Sequence, residues 1–204
     1  MSAPNFPPLI RYTAPIVALP ASGIDTDQLF PARFMTTTSR AGLGELLFHD
    51  WRHDAAGAKT SHRLNRMPPG GPAILVAGAN FGCGSSREHA VWALADFGAR
   101  VVISSVIAEI FAGNAVRNGV LPIVVEEAVV QRLMACDGGD LTVDLEHQRL
   151  TTPGLEDMPF AVDGFARRCL MEGVDALSWL LGQAQDIDAF ERDRRNGRGG
   201  GGGC

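Results

Sequence analysis

The sequence predicts an α/β fold with parallel strands at its centre. Three short apolar runs, Ala73–Ala77, Arg100–Ser105 and Leu121–Val125, are separated by two stretches of helical spacing. That strand–helix–strand–helix–strand order implies parallel pairing through right-handed crossovers. Further on, Leu141, Val143 and Leu145 alternate with Thr142, Asp144 and Glu146, the period of a strand with one wet face.

Each element has its own reason. Met1 to Pro8 is proline-rich and expected to be loose. Pro15–Pro20 reads as a first strand, and residues 21–30 as a loop carrying Asp25, Thr26 and Asp27. Gly and Pro recur through residues 31–72, which predicts turns and short helices instead of a regular core element. Gly78 ends the next strand, and a glycine-rich turn leads to a helix starting near Arg87. Ala90, Ala93, Leu94 and Phe97 form its apolar stripe, and Gly98 suits a left-handed cap. The second helix carries Ile107, Ile110 and Phe111 towards Gly119. Glu126 and Glu127 open a third, placed well for its dipole, with Val130, Leu133 and Met134 on its apolar face. Asp163 to Gly173 reads as a capped helix with Ala166, Cys169 and Leu170 inward, and 174–181 as one more. The division expected is a flexible N-terminus (1–9), one domain (10–195) and a disordered glycine-rich tail (196–204).

Composition narrows the function classes. With 204 residues and 46% hydrophobic side chains, the chain can bury a core without disulfide or metal staples. A net charge of -5 and the lack of a Lys/Arg run speak against nucleic-acid and anionic-membrane partners. Cys83, Cys136, Cys169 and Cys204 are scattered, with no C-x-x-C pair, as reduced thiols of a cytoplasmic protein would be. The apolar run Ile16–Leu19 is too short for a signal peptide, and no stretch is long enough to span a membrane.

The turn Gly82-Cys-Gly-Ser-Ser-Arg-Glu-His89 holds the most chemistry. Glycines there permit positive φ and close backbone approach. Ser85 or Ser86 can cap the helix, whose first N–H groups favour an anion. Arg87 adds a planar, permanent cation that suits a carboxylate. Together they could bind a di- or tricarboxylate and tolerate a serine alkoxide. No G-K-[ST] follows, so this is not a phosphate-binding Walker loop, and Arg87 and Glu88 rule out G-x-S-x-G. The plain alternative is a capped helix start without a ligand. Asp25 and Asp27 read either as turn-forming acids or as acids that orient an arginine or a proton-carrying group. His49 and His53 stand at i and i+4, but the segment lacks the apolar helical frame of a zinc helix, so no metal site is assigned. Cys83 reads as a small packing residue.

The run Asn80–Leu94 resembles the signature of the small subunits of bacterial 3-isopropylmalate dehydratase. So do Ile24–Pro31, Leu47–Arg52, Val101–Ser105, Ile110–Asn114 and Gly119–Pro122, in the same order across about residues 10–190. The resemblance extends more distantly to the C-terminal swivelling domain of aconitase. It implies a single swivelling β/β/α domain and isomerisation of 2- to 3-isopropylmalate in leucine biosynthesis, through loss and return of water by way of 2-isopropylmaleate. It also implies a [4Fe–4S] cluster on a separate large subunit, none on this chain, and activity only in the heteromer. By the same resemblance Ser85 is the alkoxide base, Asp27 an acid near it, and Ser86 and Arg87 stabilise the alkoxide and bind carboxylate. Arg40 is a further carboxylate clamp, in a loop (34–44) that tunes specificity and has Ala41 where the family pattern has threonine. Related readings are a small subunit acting on citraconate, maleate or dimethylmalate, and a carboxylate-binding subunit without catalysis.

Overall fold

The computed structural model describes residues 4–36, 39–67, 70–183, 190, 192 and 194. Seven strands form one mixed sheet in the order β4-β3-β2-β1-β5-β6-β7. They are β1 (Arg11–Leu19), β2 (Ala73–Ala77), β3 (Ala99–Ser104), β4 (Leu121–Val124), β5 (Asp140–Asp144), β6 (Arg149–Thr151) and β7 (Met158–Pro159). The parallel half is the predicted one. β1, β2, β3 and β4 pair in turn, with Val17 opposite Leu75, Leu75 opposite Val102, and Val102 opposite Pro122. The other half is antiparallel and hangs on β1, with Thr13 opposite Thr142. The alternating strand is thus β5, and β1 is four residues longer at its start than the apolar pattern suggested.

Helix α3 (Glu88–Phe97) crosses from β2 to β3, and α4 (Glu109–Arg117) from β3 to β4. Both cover one face of the sheet, against Val17, Leu75, Ala77 and Val102. Their inward residues are the stripe Ala90, Ala93, Leu94 and Phe97 in α3, and Phe111 and Ala115 in α4. Helix α5 (Glu127–Met134) returns the chain under the opposite face, where Val130 and Leu133 meet Ile16, Ile74, Val76 and Ile103. The parallel strands are therefore buried on both faces, which is why they read as unbroken apolar runs. Ile110, expected inside with Phe111, is instead 60% exposed, because α4 begins only at Glu109 and turns it outward.

The segment between β1 and β2 has turns and short helices, as expected, yet it supplies core. Leu43, Leu47, Phe48 and Leu64 are buried in the same cluster as α3. Its pieces are α1 (Thr26–Leu29), α2 (His49–Arg52) and 3-10 turns at Ala32–Phe34, Leu43–Leu46 and Arg63–Arg66. So few regular hydrogen bonds leave carbonyls to satisfy, and Arg52 satisfies them. Its buried guanidinium donates to the carbonyls of Gly44 (3.1 Å), Glu45 (3.3 Å) and Leu47 (3.0 Å), and to Asn65 Oδ1 (3.0 Å). It also lies over the Phe97 ring, 5.2 Å from its centroid. Asp25, read as part of a loop, is the N-cap of α1: it accepts from the Gln28 amide, and Gln28 returns the bond, a capping box.

His62 caps the Arg63–Arg66 turn through Nδ1, which accepts from the Leu64 amide at 3.3 Å. Burial, and then the Arg52 cation, hold its pKa below the ordinary 6.5. The unfolded chain therefore takes up the proton first as pH falls. Stability linked to His62 is complete above pH 6.5, declines below it, and is gone once pH has passed the folded pKa. We expect His62→Asn, which keeps a capping acceptor, to flatten that acidic decline in denaturant midpoints measured between pH 7 and 5. An unchanged decline would remove His62 as its source.

At the C-terminal side, Asp163 caps α6 (Gly164–Glu172) by accepting from Phe165 and Ala166, and Gly173 closes it in the left-handed conformation. Helix α7 (Ala176–Gly182) follows. Residues 5–9, expected to be loose, bond back to this region: Asn5 and Phe6 amides donate to Gly173 O, and Leu9 N to Leu170 O. The glycine-rich tail, 196–204, lies outside the described residues. Among the described residues no helix is long and apolar enough to cross a membrane.

Candidate active site

The loops after β1, β2 and β3 converge at the carboxyl ends of these strands, where open α/β sheets bind ligands. They remain in register beyond the strands. Asp25 pairs with Cys83 and Phe81 with Ile107 as parallel bridges. Gly82 N donates to Ile24 O at 2.7 Å, and Thr26 N to Cys83 O at 3.0 Å. The turn is thus held by backbone on both sides. Gly82 has φ +73°, and a Cβ there would lie 2.3 Å from the Phe111 ring. The close approach foreseen for this glycine is real, but it is to the protein's own α4. Gly84, at φ +91°, would place a Cβ in ordinary contact with Asp25 (3.5 Å) and Thr26 (3.6 Å), so it supplies the turn's hand and not a close approach.

Between the turn and the start of α4 lies a cleft of about 240 Å³. One wall is Thr26, Gly82, Gly84, Ser85, Ser86 and Arg87, and the other Ala108 to Phe111 with Asn114. Ser85 and Ser86 are exposed to it. The N-terminal ends of α3 and α4 both border it. The first amides of a helix have no intrahelical acceptor, so both ends present N–H groups and the positive end of a dipole.

The expected serine cap is not formed. The N-cap of α3 is Arg87, with no side-chain capping bond, because a tight turn sets both serines upstream of the helix. Arg87 N donates to Ser85 O at 2.9 Å, and the Thr26 hydroxyl donates to the same oxygen at 3.0 Å. The serine hydroxyls are consequently left to face the cleft. The Arg87 side chain, 19% exposed, is ion-paired with Asp27. The structure thus brings together Ser85, Ser86, Arg87 and Asp27. It does not bring Arg40 to them: that guanidinium lies over the Trp92 ring of α3, 5.0 Å from its centroid, and does not line the cleft. His49 and His53 stack on each other at 4.4 Å. Cys83 is a free thiol whose backbone does the pairing.

Sequence reasoning missed Thr26, Glu109 and Asn114 as cleft residues. Thr26 carries little signal, since its role depends on a backbone oxygen in another loop. Asn114 carries more: it falls on the inward stripe of α4 with Phe111 and Ala115, where an amide is out of place unless something uses it.

The model of the aconitase C-terminal domain family matches residues 7–128. A 3-isopropylmalate dehydratase small subunit from Anaeromyxobacter dehalogenans is 52% identical over 180 residues, 88% of this chain and 94% of that one. One from Solibacter usitatus is 46% identical over 184 residues, 90% and 93% of the two chains. The crystal structure of a 3-isopropylmalate dehydratase from Methanocaldococcus jannaschii superimposes with a TM-score of 0.68 at 25% identity, covering 89% of this chain and 99% of that one.

Proposed function

This chain belongs to the family of 3-isopropylmalate dehydratase small subunits, within the aconitase C-terminal domain family, and from that premise we propose how its cleft contributes to catalysis. The family's enzyme is a hydro-lyase of leucine biosynthesis, and a small subunit works with a large one. Ser85, as alkoxide, removes the proton from the carbon beside a substrate carboxylate. The C–H electrons form the double bond, the hydroxyl leaves with its electron pair, and water returns to the other carbon. The observation that carries this reading is a serine hydroxyl exposed in a carboxylate-sized cleft between two helix N-termini and an arginine.

The surroundings have matching parts. Ser86, Arg87 and the amide ends of α3 and α4 hold carboxylate and lower the cost of the alkoxide. Asp27 fixes the arginine by its ion pair. Across the cleft, Ala108 and Ile110 offer apolar surface to an alkyl arm, while Glu109 repels a third carboxylate. That wall favours isopropylmalate over a tricarboxylic acid. Arg40 would act on substrate only through movement of its loop or contact made in the assembled enzyme.

Among the described residues no three His, Cys, Asp or Glu side chains are grouped to hold a metal ion, and Cys83, Cys136 and Cys169 are separate free thiols. The donor set does not fit an iron–sulfur cluster. In this proposal the [4Fe–4S] cluster belongs to the large subunit, and no step assigned to this chain runs through it. On the same proposal the large subunit closes the cleft and covers Ile110, which lines it, and Val106, both exposed in this chain. Location in the cytoplasm is part of the same reading.

The test is reconstitution. The purified chain alone should not turn over 2-isopropylmalate, and turnover should appear on mixing with a cluster-loaded large subunit. Turnover by the chain alone, or a reconstituted pair that hydrates only citraconate or maleate, would overturn the proposal.

A further inference from the structure

Asn114 stands on the second turn of α4, at the floor of the cleft, and is only 4% exposed. Its backbone carbonyl accepts from Asn118 Nδ2 at 2.9 Å, but its own carboxamide makes no hydrogen bond to a described residue. A buried amide without partners is costly, and such groups are rare in native proteins. No described side-chain nitrogen or oxygen is both sealed from solvent and without a partner, so the Asn114 amide reaches the cleft that it lines. Phe111 and Ala115, its neighbours on the inward stripe, are apolar and buried, so the packing itself has no use for an amide at 114. The donor is left for whatever occupies the cleft.

We propose that Asn114 is a substrate-binding residue whose carboxamide nitrogen donates to a carboxylate oxygen of the acid held in the cleft. This rests on the dehydratase reading and adds a contact to it. The bond is charge-assisted on the substrate's side, and it approaches from α4, opposite the serine turn. It therefore fixes the acid between the two walls without taking part in proton transfer.

The experiment uses the reconstituted heteromer with Asn114→Ala and Asn114→Asp. For Asn114→Ala the KM for 2-isopropylmalate should rise about ten- to a hundredfold, with kcat nearly unchanged. Asn114→Asp should raise KM further, because a carboxylate would then face a carboxylate. The Tm of the chain should stay within about 2 °C in Asn114→Ala, since no protein partner loses a bond. An unchanged KM in both variants would overturn the inference. So would a fall in Tm or in heteromer assembly without a rise in KM, which would make the amide a structural or interface group. A wild-type heteromer with no turnover of any alkylmalate would instead sink the dehydratase reading, and this inference with it.

Discussion

Ser85→Ala is expected to lower kcat of the reconstituted enzyme by about 10²- to 10⁴-fold, the usual contribution of a positioned general base. The change removes one exposed oxygen from a turn whose shape is set elsewhere. Thr26 and Arg87 bond to the backbone carbonyl of residue 85, and Gly82 and Gly84 supply the positive φ values. The cleft, its arginine and its helix ends therefore survive, and KM should change far less than kcat. Ser85 fills no core, so the heteromer should elute as wild type on size exclusion. Steady-state turnover of both isopropylmalates, with elution volume as the control, is the measurement. Near-normal turnover in an intact heteromer would show that another group takes the proton.

Arg52→Leu should destabilise the chain by about 3–5 kcal/mol, the scale for losing one partner of a buried charged network. Thermal unfolding should then occur at a Tm lower by roughly 6–20 °C for a domain of this size. Leucine fills part of the space over Phe97 but donates nothing, which strips the carbonyls of Gly44, Glu45 and Leu47 of their shared donor. Burial already pulls the pKa of Arg52 below its ordinary value, a sign that the guanidinium stays charged at a cost. Arg52→Lys should recover only part of the loss, because one ammonium cannot span the same acceptors. A Tm within about 2 °C of wild type would show that water satisfies these carbonyls equally well.

The sequence was most legible where burial is two-sided and local. β2 and β4 were readable as apolar runs, and α3 with its Gly98 cap as a 3.6-residue stripe, because each pattern has one strong physical cause. The segment after β1 was legible only as irregular. That Phe48 and Leu64 are core, and that Arg52 binds the segment together, depends on contacts that no short-range period encodes. β6 and β7 went unread because strands of three and two residues are too short to show alternation. In the candidate site, Ser85, Ser86 and Arg87 share one turn that the sequence shows, and Asp27 meets it from α1 through its ion pair with Arg87. The cap assignment failed because Ser, Asp and Arg can all precede a helix, and only the backbone path decides which one does. Asn114 lay inside a recognised motif, but that its carboxamide bonds to no described residue is a three-dimensional fact.

Strand β1 borders β2 on one side and β5 on the other. It is the first of the seven described strands to leave the ribosome, while its neighbours start at Ala73 and Asp140. β2 can dock once Ala77 has emerged, but β5 only after Asp144, so the antiparallel side of β1 closes late and over a long loop. Until then that edge of β1, a nine-residue strand that is apolar from Ala14 onward, stays open to foreign strands. Yield in a host should therefore respond to holdase chaperones and growth temperature more than to any change in the cleft.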